Sequence, residues 1–223
     1  KSSIILIEEP ENHLTYSKMN KLISEITKLN NEKQIFITTH SSFVANKLNI
    51  KNLILLSKDK NTSFSKLTPE TINFFEKKPG YDTLRLLLCK KAILVEGDAD
   101  ELIVQKAYLN KNGILPIEND IDVISVGNTF LRFLEISTLL EKETIVVTDN
   151  DGDIEQLKNK YENYLGKNEK NFIKICYDDE THIEQGNLKS KNGGTFNYDT
   201  LEPCMLRANN LDTLNEILET NKS

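Results

Sequence analysis

Short runs of aliphatic and β-branched residues alternate along the chain with longer stretches whose apolar positions recur at helical spacing. The runs at 3–8, 34–39, 52–57, 91–96, 121–126, 143–149 and 171–176 predict strands. The intervals at 15–29, 41–48, 68–77, 81–89, 99–110, 129–141, 153–164, 199–208 and 210–220 predict helices. Parallel strands need crossovers of helix length, so this alternation predicts an α/β fold built on a parallel sheet. The stretch 58–82, rich in Lys and Ser and carrying two prolines and Gly80, interrupts the pattern and predicts a border that divides residues 1–75 from 76–223. KSKNGGTFN at 189–197 reads as a loop rather than a second border.

Composition narrows the class. At 38% hydrophobic and 28% charged, the chain has the balance of a globular protein. It has no apolar run of about 18 residues and no basic-then-apolar leader, so a membrane span is excluded and the expected location is the cytoplasm. Cys89, Cys176 and Cys204 are odd in number and unpaired in spacing, which predicts small buried residues rather than disulfides or a zinc site. A net charge of -6 argues against a generally basic nucleic-acid surface. With only Arg85, Arg132 and Arg207 as arginines, any phosphate clamp must rely on lysine point charges and metal. The chain enters an apolar strand within three residues of Lys1, which suggests a piece cut inside a domain.

Two constellations carry chemistry. In IILIEEPENHL an apolar strand ends in adjacent acids, and IFITTHSSFVAN closes the next strand with His40. In phosphate-loop ATPases one such acid serves the water shell of magnesium and the next the attacking water, roles that fall on Glu8 and Glu9. The pair resembles the second half of an ABC-type ATPase head, in which His40 would sense the γ-phosphate. Read separately, Glu8 and Glu9 are a solvated strand end and His40 a turn histidine. The sequence departs from that family in having Glu8 where Asp is usual and Thr15-Tyr16 where His-Pro is common. No GxxxxGK[ST] cradle occurs, so this chain alone is not expected to hydrolyse ATP.

In KAILVEGDADELIV, Glu96 closes a buried strand before Gly97, and Asp98, Asp100 and Glu101 enter the first turn of a helix. Acids suit a helix start through its dipole, which accounts for Asp98 and Glu101 but poorly for Glu96. IDVISVGN follows, then IVVTDNDGD, which packs Asp149, Asp151 and Asp153 into five positions. Such carboxylates repel unless a cation lies among them. Strand alternation places Asp149 and Asp151 on one face, and a parallel sheet lines up its carboxyl ends, so Glu96 can meet them in an all-oxygen site suited to Mg2+ or Mn2+. A calcium loop of the EF-hand kind fits badly: counting from Asp149, the glycine is fourth rather than sixth and the twelfth residue is Lys160 rather than Glu.

The series IEEPE, TTHS, VEGDAD, VGN and TDND resembles the overcoming-lysogenisation-defect (OLD) family, in which an ABC-type ATPase head precedes a Toprim domain, a Rossmann-like parallel sheet flanked by helices. The resemblance implies a partial ATPase at 1–75 and a Toprim nuclease domain at 76–223. It implies metal-dependent DNA cleavage, often in phage defence, with two ions held by Glu96, Asp100, Asp149, Asp151 and Glu202. Glu96, Asp149 and Asp151 would be catalytic together with Lys222, near where the family's lysine is expected; Lys189 and Lys191 offer alternative charge. Glu8, Glu9 and His40 would bind ATP in the full-length protein. DNA as substrate, a homodimer and a partner protein of a defence system complete the expectation, with no membrane. The competing readings are a non-catalytic dimerisation or signalling module, and a primase- or topoisomerase-like strand transferase.

Overall fold

The computed structural model describes residues 4–29, 33–57, 60–77, 81–180, 188–189, 195–196, 200–208, 211–217 and 219. The first region pairs β1 (Ile4–Glu8) with β2 (Gln34–Thr38) in parallel, joined by α1 (Tyr16–Leu29) and followed by α2 (Ser42–Lys47). Met19, Ile23 and Ile26 recur at helical spacing and give α1 one buried stripe. Ser41 starts α2 by accepting the Val44 amide on its side chain. Met19, Ile23 and Val44 form a small core with Leu14, Leu22, Ile37, Phe43 and Leu48 packed against it.

Next come the antiparallel hairpin β3 (Ile54–Leu56) and β4 (Asn61–Ser63), then α3 (Pro69–Lys77) and α4 (Tyr81–Leu88). The larger region alternates β5 (Lys91–Val95), α5 (Asp98–Asn112), β6 (Ile121–Ser125), α6 (Phe130–Leu140), β7 (Glu143–Val147), α7 (Ile154–Lys160) and β8 (Ile173–Cys176). Its four strands lie in the order β6-β5-β7-β8, all parallel, as the alternation predicts. Leu94, Ile124, Val146, Phe130, Leu134 and Tyr161 are fully buried in its core. A two-residue pair, β9 (Leu188–Lys189) with β10 (Thr195–Phe196), lies where a plain loop was expected, most of which falls outside the described residues. Helices α8 (Leu201–Ala208) and α9 (Leu211–Ile217) follow.

Residues on both sides of the expected border at 75/76 share the larger core. Ile50, Phe64, Leu67 and Phe75 belong to the larger core, while Leu48 packs on the smaller. Phe75 stacks edge-on against Phe133 of α6 at 5.3 Å. The Glu135 carboxylate of α6 accepts from the Thr68 amide (2.5 Å), the Thr68 hydroxyl (2.8 Å) and the Thr71 hydroxyl (2.5 Å), capping the start of α3.

Arg85 on α4 binds Asp122 of β6 through Nε (3.1 Å) and Nη2 (2.7 Å), and Glu101 of α5 at 3.1 Å. Glu101 in turn accepts the Ser125 amide at 3.3 Å, so α5 is pinned to the end of β6. Arg132 donates to Thr71 at 3.3 Å. The three cysteines are thiols, half-buried rather than fully buried as expected; Cys89 and Cys176 sit at the margins of α4 and β8. Among the described residues no helix is long and apolar enough to cross a membrane.

Candidate active site at the carboxyl rim of the parallel sheet

The ladder between β5 and β6 continues past the formal end of β5. The Val126 amide donates to Val95 O and the Gly127 amide to Glu96 O, both at 2.9 Å, and the Ser125 hydroxyl reaches Glu96 O at 3.3 Å. Glu96 is thereby fixed beside the VGN turn, where Gly127 takes a φ of 59° that only glycine adopts without strain. Asp100 closes the start of α5 by accepting the Gly97 amide at 2.8 Å.

Asp149 and Asp151 come together by a route other than strand alternation. β7 ends at Val147, and Asp151 and Gly152 turn the chain with φ of 51° and 77°. The expectation that both side chains share one face of a strand is corrected on that point: they flank a turn. Asn150, only 2% exposed, builds this turn. Its Nδ2 donates to Asp178 O (2.8 Å) and Glu180 O (3.0 Å), and its Oδ1 accepts the Gly152 amide (2.9 Å). All three bonds are needed, since a buried amide left unpaired costs about 1–3 kcal/mol. Asp153 then caps α7 by accepting the Gln156 amide at 2.9 Å.

The four acids feel one another. Burial pushes the Asp149 carboxyl up to about 6, with Asp100, Glu96 and Asp151 adding to the rise against a hydrogen bond from the Leu201 amide. Burial also raises Glu96, reinforced by Asp151 and Asp100 and opposed by Lys160. Among the described residues, no three His, Cys, Asp or Glu side chains close into a ready-made metal cage. The rim is nonetheless a converging, under-compensated set of carboxylate oxygens, the donor chemistry that hard divalent cations take.

The Leu201 amide that meets Asp149 opens α8, so the backbone of the next residue, Glu202, stands beside the rim; its side chain and all of Lys191 and Lys222 lie outside the described residues. Lys189 is placed only as part of β9. Reading the sequence did not single out Asn150, whose partners are 28 and 30 residues away, nor Lys160 as a neighbour of the acids.

In the first region, Glu9 leaves β1 with φ 37° and its Oε1 lies 3.0 Å from His40 Nε2. Glu8, paired in register with Thr38, is exposed at the end of β1. Glu11, quoted in the EEPE motif but given no role there, holds the two loops together. Its Oε1 accepts the Thr39 hydroxyl and the His40 amide, both at 2.7 Å, and the Ser41 amide at 3.1 Å.

A parallel sheet whose acids close adjoining strands, preceded by a strand-helix-strand unit ending in Glu9 and His40, is a Toprim-class α/β fold behind an ATPase segment. Comparison with known families agrees at both ends. Residues 87–151 match the "Overcoming lysogenization defect protein-like, TOPRIM domain" family and residues 1–45 the AAA ATPase domain. The order of the two matches, ATPase before Toprim, is similar to that of OLD-family ATPase–Toprim proteins. It is 23% identical over 244 residues to the Old nuclease of Escherichia phage P2, an alignment covering 87% of this chain and 42% of the relative. The chain thus spans less than half the length of that relative.

Proposed function

We propose that this chain carries the nuclease centre of an ATPase-regulated DNA endonuclease, hydrolysing phosphodiester bonds at the rim of the parallel sheet. The observation that carries this reading is the mutual strain of the acids, which raises Asp149 to about 6 through burial and through Asp100, Glu96 and Asp151. A half-buried carboxylate among like charges is relieved by a divalent cation as well as by a proton. The residues that would hold two Mg2+ or Mn2+ ions are Glu96, Asp100, Asp149 and Asp151, with Glu202. Bound ions supply an activated water and neutralise charge at the leaving oxygen. The chain's own part is to hold these carboxylates in place: Asn150 locks the Asp149–Gly152 turn, and the Gly97 amide holds Asp100. Lys222 belongs to this reading as a cation for the phosphate. The name of the phage P2 relative supports it, as does the order of the two matched domains.

Nucleotide bound through Glu8, Glu9 and His40 would regulate access of DNA in the full-length protein, with paired heads making a homodimer. A phage-defence setting with a partner protein belongs to the same reading. The test is cleavage of supercoiled plasmid by the full chain with Mn2+. Nicked circles that vanish with Asp149→Ala are expected, a loss on the order of 10^3-fold, the scale of removing one preorganised electrostatic partner of a transition state. Sealed, relaxed circles would favour strand transfer instead. Mn2+ binding with no cleavage by the unaltered chain would favour a non-catalytic module.

A further inference from the structure

Among the described residues, Lys160 is a cation whose charge acts on Glu96 of the acid rim. Lys160 ends α7, and its Nζ lies 5.5 Å from the centre of the Phe130 ring and 5.3 Å from that of Tyr161. The two rings pack edge to face at 6.3 Å and are fully buried. They are rim residues by position. Phe130 opens α6 straight after the turn in which the Gly127 amide binds Glu96 O. The buried Tyr161 hydroxyl makes no hydrogen bond of full geometry, and the polar groups acting on it are the Thr148 side chain and the Glu96 carboxylate. Lys160 makes no ion pair with any described carboxylate.

Resting on the nuclease reading, we propose that Lys160, held over the Phe130–Tyr161 ring pair, binds a backbone phosphate of the DNA at the rim, in addition to the contact assigned to Lys222. The Lys160 charge reaches Glu96, where it opposes the effects of burial and of the neighbouring acids. A polyanion approaching four carboxylates needs a positive group placed in advance, and the two arginines whose side chains are described do not provide it. Arg85 is committed to Asp122 and Glu101, and Arg132 to Thr71. A compact ammonium on a flexible stem suits a single phosphate oxygen, which needs a point charge rather than a fork. The ordinary account of such a residue is that lysine suits the negative end of a helix dipole. That explains a lysine somewhere in the last turn of α7. It leaves unexplained an ammonium poised over two rings, whose faces steer a cation without consuming its hydrogen-bond donors.

The test uses the full chain, a short labelled DNA duplex and Mn2+, with cleavage measured across a series of salt concentrations. Removing one phosphate contact makes the dependence of log(kcat/KM) on log[salt] shallower by about 0.9. Lys160→Gln is expected to show that change together with a rise in KM of about tenfold, the scale of one charge-assisted contact. Mn2+ affinity should hold or rise slightly, because a positive charge acting on Glu96 is removed, whereas a structural disturbance of the rim would lower it. Lys160→Arg should restore the slope, because the charge and its seat on the rings survive. An unaltered salt slope in Lys160→Gln overturns the proposal while leaving the nuclease reading intact, as does Lys160→Arg failing as badly as Gln. If the unaltered chain neither binds nor cuts the duplex, the nuclease reading fails first and this inference fails with it.

Discussion

The two parallel sheets of this molecule begin from similar strands and end differently. IILIE of β1 and KAILV of β5 are both apolar, yet Leu94 of β5 is fully buried while Leu6 of β1 is 77% exposed. On the outer face of the first sheet, Ile4, Leu6 and Phe36 stand together in solvent, and α1 and α2 cover the other face. The larger sheet has helices on both sides, so β5 buries residues on both faces, while β7 buries Thr144 and Val146 on one face and half-buries Ile145 and Val147 on the other. Burial of a parallel strand is therefore a property of the layers around it, which its own sequence does not record.

Core truncation should expose this difference most strongly. Phe133 is 2% exposed and stacks on both Phe74 and Phe75 of α3, so Phe133→Ala should cost about 3–5 kcal/mol and loosen α3 as well as α6. Ile23→Ala in the smaller core should cost about 2 kcal/mol, since a few neighbours under one-sided cover can collapse into the space. Denaturant unfolding followed by hydrogen exchange measures both. Equal losses would mean that the two cores are not the separate units their packing suggests.

A smaller effect is expected from Asn150→Ala. It removes the bonds to Asp178 O, Glu180 O and the Gly152 amide, at a cost of about 2 kcal/mol with partial replacement by water. Its sharper consequence lies in the rim. Groups that orient ligands from behind are worth about 10–100-fold in metal affinity. Calorimetric titration with Mn2+ should show a drop of that order in the larger region, whereas Glu9→Gln in the smaller region should leave this affinity unchanged. A drop of the same size in both would remove the distinction between the two sites.

The positions of the strands were legible because runs of β-branched residues record them directly. β4 was not, since NTS buries only Thr62 and resembles any polar turn. The helix expected at 153–164 stops at Lys160, where Tyr161 plunges into the core and the chain tightens into a 3-10 turn at Glu162–Tyr164. Glu96, Asp100, Asp149 and Asp151 were legible as local motifs of acids beside glycine. Asn150 and Glu11 were not, because what distinguishes them is partners about 30 residues away and not their neighbours in sequence. Lys160 looked like one more charge on a polar helix; its meaning depends on the two rings beneath it.

The smallest effect concerns Glu11, the link between the two loops of the smaller region. Partial burial pushes its carboxyl up, but hydrogen bonds from the Thr39 hydroxyl and the backbone amides, including those of His40 and Ser41, outweigh this and leave it below its ordinary value. A carboxylate whose folded value is depressed contributes stability that is present above the unfolded value of 4.5 and lost as pH falls through the folded value. The His40 and Ser41 amide proton shifts should therefore titrate with a midpoint below 4.5, and Glu11→Gln should abolish that titration. Because Glu11 remains accessible to water, the stability lost in Glu11→Gln at neutral pH should be under about 1 kcal/mol. The amides of β5 in the larger sheet should not follow the same titration, since their bonds run strand to strand. A midpoint at or above the ordinary glutamate value would mean that Glu11 does not hold the Glu9 and His40 loops together, leaving the Glu9–His40 contact to join them.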